Sequence, residues 1–151
     1  MALEAPWILN QDAEPCGTTL IDAHNGFNKL SRLEMLQTLR HHWPAGTRFA
    51  FNCYKHWAQI LLHQPGDAPV ILLIREGVTQ VDPLLMVLYG ITLAPLAEDL
   101  RDMEPTLLPP FYFDDAAFDG SVWWSAAQLR LLMDRGLGRG YFHKPSKYIF
   151  Y

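Results

Sequence analysis

The chain predicts a sheet layered with helices, of the α/β or α+β class, with the split βαβ, ferredoxin-like arrangement as the candidate topology. Three observations lead there. Strand-type and helix-type apolar patterns alternate in the order strand, helix, hairpin, helix, strand pair, helix, strand. Half of the 151 residues are hydrophobic, enough for a real core. No repeat, low-complexity tract or linker divides the chain, so residues 1–151 are expected to form one domain.

The first strand is placed at Thr18 to Ile21 in "CGTTLIDA", a β-prone run entered through Gly17, with Asp22 where the strand leaves the core. From Leu30 the apolar positions Leu30, Leu33, Leu36 and Leu39, with Met35 beside them, recur at helical spacing until Pro44 closes the segment. "AGTRFAFNCYKHW" suits a second helical segment, although its aromatics fit a strand nearly as well. Two short apolar runs flank Pro65-Gly66-Asp67, which is turn chemistry between paired strands. Asp82 as a cap and Pro83 in the first turn start an apolar helix that runs to about Leu100, with Pro95 expected to kink or weaken it. An acid-bearing strand pair comes next, then a helix near Ser125 to Arg135, the glycine-broken "GLGRG", and a last strand in "KYIFY".

The formal charge of −4 argues against a free-standing nucleic-acid-binding module, because Lys and Arg normally supply most of that affinity. Cys16 and Cys53 lie far apart with no CxxC pair, as expected of reduced thiols in an intracellular protein, nuclear or cytoplasmic. The opening has neither a basic n-region nor an apolar h-region, and the longest apolar stretch, broken by Gly90 and Pro95, falls short of the ~18 residues of a spanning helix. No membrane role is expected.

"PFYFDDAAFDGS" sets Asp114 and Asp115 side by side within an aromatic run. Adjacent acids in a turn are commonly turn formers that accept backbone N–H bonds. The alternative is metal binding, since a divalent cation offsets the repulsion of crowded carboxylates and prefers hard oxygen ligands. Asp22 ends a separate strand and supplies a third acid, so three carboxylates could gather around two Mg²⁺ ions, with Mn²⁺ as a substitute, for phosphoryl or nucleotidyl transfer.

Four segments in order, "LIDAHNGFN", "EGVTQVDPL", "FYFDDA" and "GYFHKPSKYIF", resemble the consecutive motifs of a reverse transcriptase palm of the kind found in non-LTR retroelements. The resemblance runs from Thr18 onward. It implies an α+β, ferredoxin-like polymerase palm, an antiparallel sheet with helices on one face, and RNA-directed transfer of deoxynucleotides to a primer 3′-OH on an RNA template. It further implies that Asp22 and Asp114 bind the metals, that Asp115 completes the acidic pair, and that Tyr112 is the tyrosine of that turn. Phe27 falls at the aromatic under the incoming sugar, though a core phenylalanine explains it equally well. Gln80 falls at the glutamine lining the nucleotide and template pocket, and Lys147 at the lysine near the leaving pyrophosphate, where developing charge calls for a cation.

Two departures support a second reading, a non-catalytic retroelement remnant that serves as a structural or interaction domain. Val81 stands where the family has glycine, and a β-branched residue does not readily take positive φ. Fingers and thumb regions are not recognisable, so a palm fragment inactive alone, with weak hold on nucleic acid, is expected.

Other groupings carry less. His41-His42 and Cys53-x-x-His56 lack a second matched pair for zinc and are expected on the surface. Trp123-Trp124 and the group Phe49, Phe51, Tyr54 and Trp57 are expected to pack in the core, and Arg130, Arg135 and Arg139 to form a solvated face. "GLGRG" lacks the strand and lysine of a P-loop.

Overall fold

A computed structural model describes residues 15–79, 82–103, 111–112 and 115–150. In chain order the elements are β1 (Cys16–Asp22), α1 (Gly26–Lys29), α2 (Arg32–His42), α3 (Pro44–Tyr54), β2 (Ala58–Leu62), β3 (Val70–Ile74), α4 (Leu85–Met103), β4 (Phe111–Tyr112), β5 (Asp115–Ser121), α5 (Val122–Arg139), a 3₁₀ turn (Pro145–Lys147) and β6 (Ile149–Phe150). The strands form an antiparallel sheet in the order β4-β5-β1-β6 and a separate β2-β3 hairpin. The result is an α+β domain of antiparallel sheets with helices packed against them.

Alternation within the strands sorts the two faces of the large sheet. Thr19, Ile21, Ala116 and Phe118 are buried, and the pairings Ile21↔Ala116 and Thr19↔Phe118 put them on one face. Helix α5 lies against β5 and β1 there, α4 against α5, and α2 between α4 and α3. One apolar cluster joins them, including Met35, Leu39, Leu88, Leu96, Leu100 and Leu132.

Helix boundaries follow local chemistry. Ser31 caps α2 by accepting from Glu34 N at 3.3 Å, and Ser121 caps α5 by accepting from Trp124 N at 3.3 Å. Asp82 Oδ1 accepts from Leu84 N at 2.8 Å ahead of α4, as its sequence position predicts. Pro95 lies inside α4 without ending it, since Leu96 and Leu100 beyond it are both fully buried and the helix reaches Met103. Tertiary packing outweighs the lost backbone bond.

Several expectations are corrected. Helix α5 does not stop at "GLGRG" but runs through Gly136 and Gly138 to Arg139, and Gly140, at φ 83°, ends it in the left-handed conformation. Trp123 is 73% exposed, and Trp124, Phe49, Phe51 and Trp57 are exposed too; only Tyr54 of the two aromatic groups is buried. Leu33 points to solvent, and Met35, Thr38 and Leu39 form the inner face of α2 with Arg32. Arg139 is no solvated cation: its Nη1 donates to Thr92 O at 3.0 Å and to Thr38 Oγ1 at 3.4 Å, and lies 3.6 Å from Glu34.

A buried polar knot holds the hairpin base to the helices. Arg32 donates from Nε to Gly77 O at 2.8 Å and from Nη1 to His56 O at 3.0 Å, with its guanidinium 5.4 Å from the Tyr54 ring centroid. Tyr54 in turn donates to Asp82 Oδ2. Burial, and then the Asp82 carboxylate, push the Tyr54 pKa up from 10.0 to about 12. The unfolded chain ionises Tyr54 first, so its contribution is fully present below pH 10 and is lost as pH rises towards 12. Tyr54→Phe is therefore expected to remove this part of the alkaline fall in stability and to cost about 1–2 kcal/mol at neutral pH, as measured by urea melts between pH 7 and 11.

Candidate functional site

The face of the large sheet opposite the core carries the acids. Asp22 and Asp115 are direct partners in the β1–β5 register, so both side chains leave the same face with Cβ atoms roughly 5 Å apart. Asp22 is half-buried and Asp115 exposed. Along the same face come the pairs Leu20↔Ala117 and Thr18↔Asp119, the latter closed by a 2.5 Å bond from Thr18 Oγ1 to Asp119 Oδ1. Two acids remote in sequence are therefore cross-strand partners.

The other assigned residues sit as follows. Tyr112 pairs with Asp115 across β4–β5, which fixes its backbone beside the acids. Asp114, Gln80 and Val81 lie outside the described residues. Lys147 ends the 3₁₀ turn, and the start of this segment is tied to the first acid by a 3.0 Å bond from Lys144 N to Asp22 O. From there the chain enters β6, where Ile149 pairs with Leu20. Phe27 packs on Tyr89, with ring centroids 4.7 Å apart, and adjoins the core cluster. That contact accounts for an aromatic at this position.

Sequence reasoning missed Lys29, a cation in the corner beyond this end of β1. Lys29 Nζ donates to His24 Nδ1 at 3.0 Å and stands 4.7 Å from the centroid of the Phe142 ring. His24 N donates to Phe142 O at 2.5 Å, and Ala23 bridges His143, so β1 continues past Asp22 into this corner. A shallow cleft of about 420 Å³ opens here, lined by Lys29, Asn28, Phe142 and Gly140 among others. Lys29 follows Asp22 by seven residues through the tight α1 turn, a spacing that no periodic pattern marks. A more enclosed cavity of about 300 Å³, lined by Cys16, Val122, Ser125 and Leu129, lies at the far end of β1, roughly 20 Å from the acids along the strand.

Asp22 and Asp115 carry the hard oxygen donors a divalent cation prefers, and stand on one face of the sheet. Among the described residues no group of three or more His, Cys, Asp or Glu forms a metal site. No described helix is long and apolar enough to cross a membrane.

No family model matches the sequence, and no curated protein matches it. Solved structures do. Telomerase from Candida albicans, in complex with a TWJ fragment of telomeric RNA, matches with a TM-score of 0.70 at 11% identity, over 95% of this chain and 29% of the telomerase chain. Apo telomerase from Candida tropicalis, truncated from its C-terminal domain, matches with a TM-score of 0.67 at 14% identity, over 95% of this chain and 32% of that one. The chain thus shares its fold with part of these telomerase chains and spans about a third of their length.

Proposed function

We propose that this chain is a single domain of the reverse transcriptase palm type, of non-LTR retroelement ancestry, that works inside the cell as a structural or interaction domain rather than as a polymerase on its own. The observation that carries this reading is the β2–β3 hairpin. Every residue from Gln59 to Leu73 is exposed, although nine of the ten strand residues are apolar. Antiparallel strands normally hide at least one face, so a hairpin bare on both is a surface for a partner. The net charge of −4 points the same way, because it disfavours hold on a nucleic-acid duplex by the domain alone.

The directly opposed pair Asp22 and Asp115 favours a second reading, a palm fragment that keeps part of a catalytic centre. In that reading Asp22, Asp114 and Asp115 would hold Mg²⁺, which supplies charge neutralisation for nucleotidyl transfer to a primer on an RNA template. Lys147 would offset charge on the leaving group, and Phe27, Gln80 and Tyr112 would line the dNTP.

Primer extension separates the two. The chain is expected to extend no primer on an RNA template in Mg²⁺ or Mn²⁺, and Asp22→Asn is expected to leave that blank unchanged. Extension that disappears in both Asp22→Asn and Asp114→Asn proteins would overturn the interaction-domain reading and establish the catalytic one.

A further inference from the structure

The β2–β3 hairpin has four properties that together identify its occupant. First, its bare apolar area is large. Seven aliphatic side chains from Ile60 to Leu73 are each between 42% and 64% exposed. Together they present on the order of 600 Å² of apolar surface, at the upper end of what a monomer leaves bare. Edge pairing at β3 covers only part of this on each copy, so the contact falls below the roughly 1,200 Å² of a standard interface and is of the weak, micromolar kind.

Second, the outer edges of β2 and β3 pair with no other strand among the described residues. Neither strand contains the Lys, Pro or inward charge that normally guards an edge against pairing. Third, the surface is neutral. Gln59 is the one polar residue of the two strands, so two copies meeting along them bring no like charges together there.

Fourth, the flanking charges are self-complementary. Asp67 lies in the turn before β3 and Arg75 directly after it, with its guanidinium 4.0 Å from the Trp57 ring centroid. If two β3 strands pair antiparallel centred on Leu72, the tip of each hairpin lies by the base of the other, and Asp67 of one copy, opposite Gly77 of the second, is the diagonal neighbour of its Arg75, within reach of that long side chain. A two-fold axis requires this reciprocity.

From these observations we infer that the hairpin is a self-association surface whose occupant is the β3 strand of a second copy of this chain, paired edge to edge about a two-fold axis through Leu72. The inference rests on the interaction-domain reading and names its partner. Leu72, midway along Val70–Ile74, then meets its own copy at the axis.

Sedimentation of the full chain from about 1 to 100 µM tests this. The wild-type mass is expected to double across that range. Leu72→Lys sets two ammonium groups against each other and is expected to raise the dissociation constant at least about tenfold, as is Leu72→Glu for the corresponding reason. An equimolar mixture of the two variants is expected to recover the dimer, which damage to the fold cannot mimic. Far-UV circular dichroism checks folding; if either Leu72 variant loses structure, Ile71→Thr, expected to weaken association severalfold, takes its place. A wild-type mass that stays at one chain throughout, or a dimer unchanged in Leu72→Lys, overturns the proposal. The first outcome assigns the hairpin to a different protein and leaves the interaction-domain reading standing, since that reading falls only with metal-dependent extension.

Discussion

Gly140→Ala is expected to lower stability by about 3 kcal/mol and the melting temperature by about 10 °C, followed by circular dichroism on heating. A Cβ built on Gly140 would lie 1.9 Å from Lys29 O and 2.7 Å from Ser31 N, both backbone atoms, so no side-chain rotation relieves the overlap. The residue also holds φ 83°, a conformation that alanine adopts only with strain. The approach is close because Ser31 N donates to Arg139 O at 2.9 Å, docking the end of α5 on the start of α2. Gly138→Ala is the control. Nothing lies within 4 Å of its added methyl group, and alanine is the better helix former, so a gain of up to about 1 kcal/mol is expected. Opposite signs two residues apart would establish that close approach, and not glycine content, governs this corner.

Arg32→Ala is expected to cost about 3 kcal/mol and to loosen the hairpin base before the rest of the domain. Only 8% of Arg32 is exposed, and truncation strips two backbone carbonyls, Gly77 O and His56 O, of their charged donor. It also removes the cation over Tyr54. Hydrogen exchange should show faster amides in β2 and β3 with those of α5 little changed. A double-mutant cycle with Tyr54→Phe should give a coupling of about 1 kcal/mol, because both changes dismantle one network. Additive effects would mean that the two side chains stabilise the base independently.

Much of the fold is legible in the sequence wherever a local signal and the global arrangement agree. The β-prone run Thr18 to Ile21, the Pro65-Gly66-Asp67 turn and the Asp82-Pro83 start all specify their elements through backbone chemistry that needs no distant partner. The misreadings arise where a distant contact decides. Gly136 and Gly138 weaken a helix by propensity, yet α5 continues through both, and at Gly136 a Cβ would stand 3.2 Å from Tyr141 O, a close approach that a distant residue creates. Trp123 and Trp124 suggest a core by composition, but Ser121 caps the helix so that its first turn faces outward. Arg139 looks solvated because its acceptors, Thr92 O and Thr38 Oγ1, come from other helices.

The candidate site divides in the same way. Asp22 and Asp115 are paired at strand ends that the sequence marks, while Asp114 lies outside the described residues. The contribution of Lys29 depends on a turn in which Asn25 takes a left-handed conformation at φ 54°, which brings a cation beside His24 and Phe142. Helical or strand periodicity carries no trace of such a turn.

The central position of β1 bears on how the chain acquires its structure during synthesis. This strand is made first among the described elements, yet its neighbours are β5, which begins at Asp115, and β6, which begins at Ile149. About a hundred residues must leave the ribosome before Thr19 and Ile21 find their places, a separation that favours slow, late consolidation. Until then Cys16–Asp22 has neither flanking strand, and nascent chains halted before β5 should be as protease-sensitive as unfolded polypeptide.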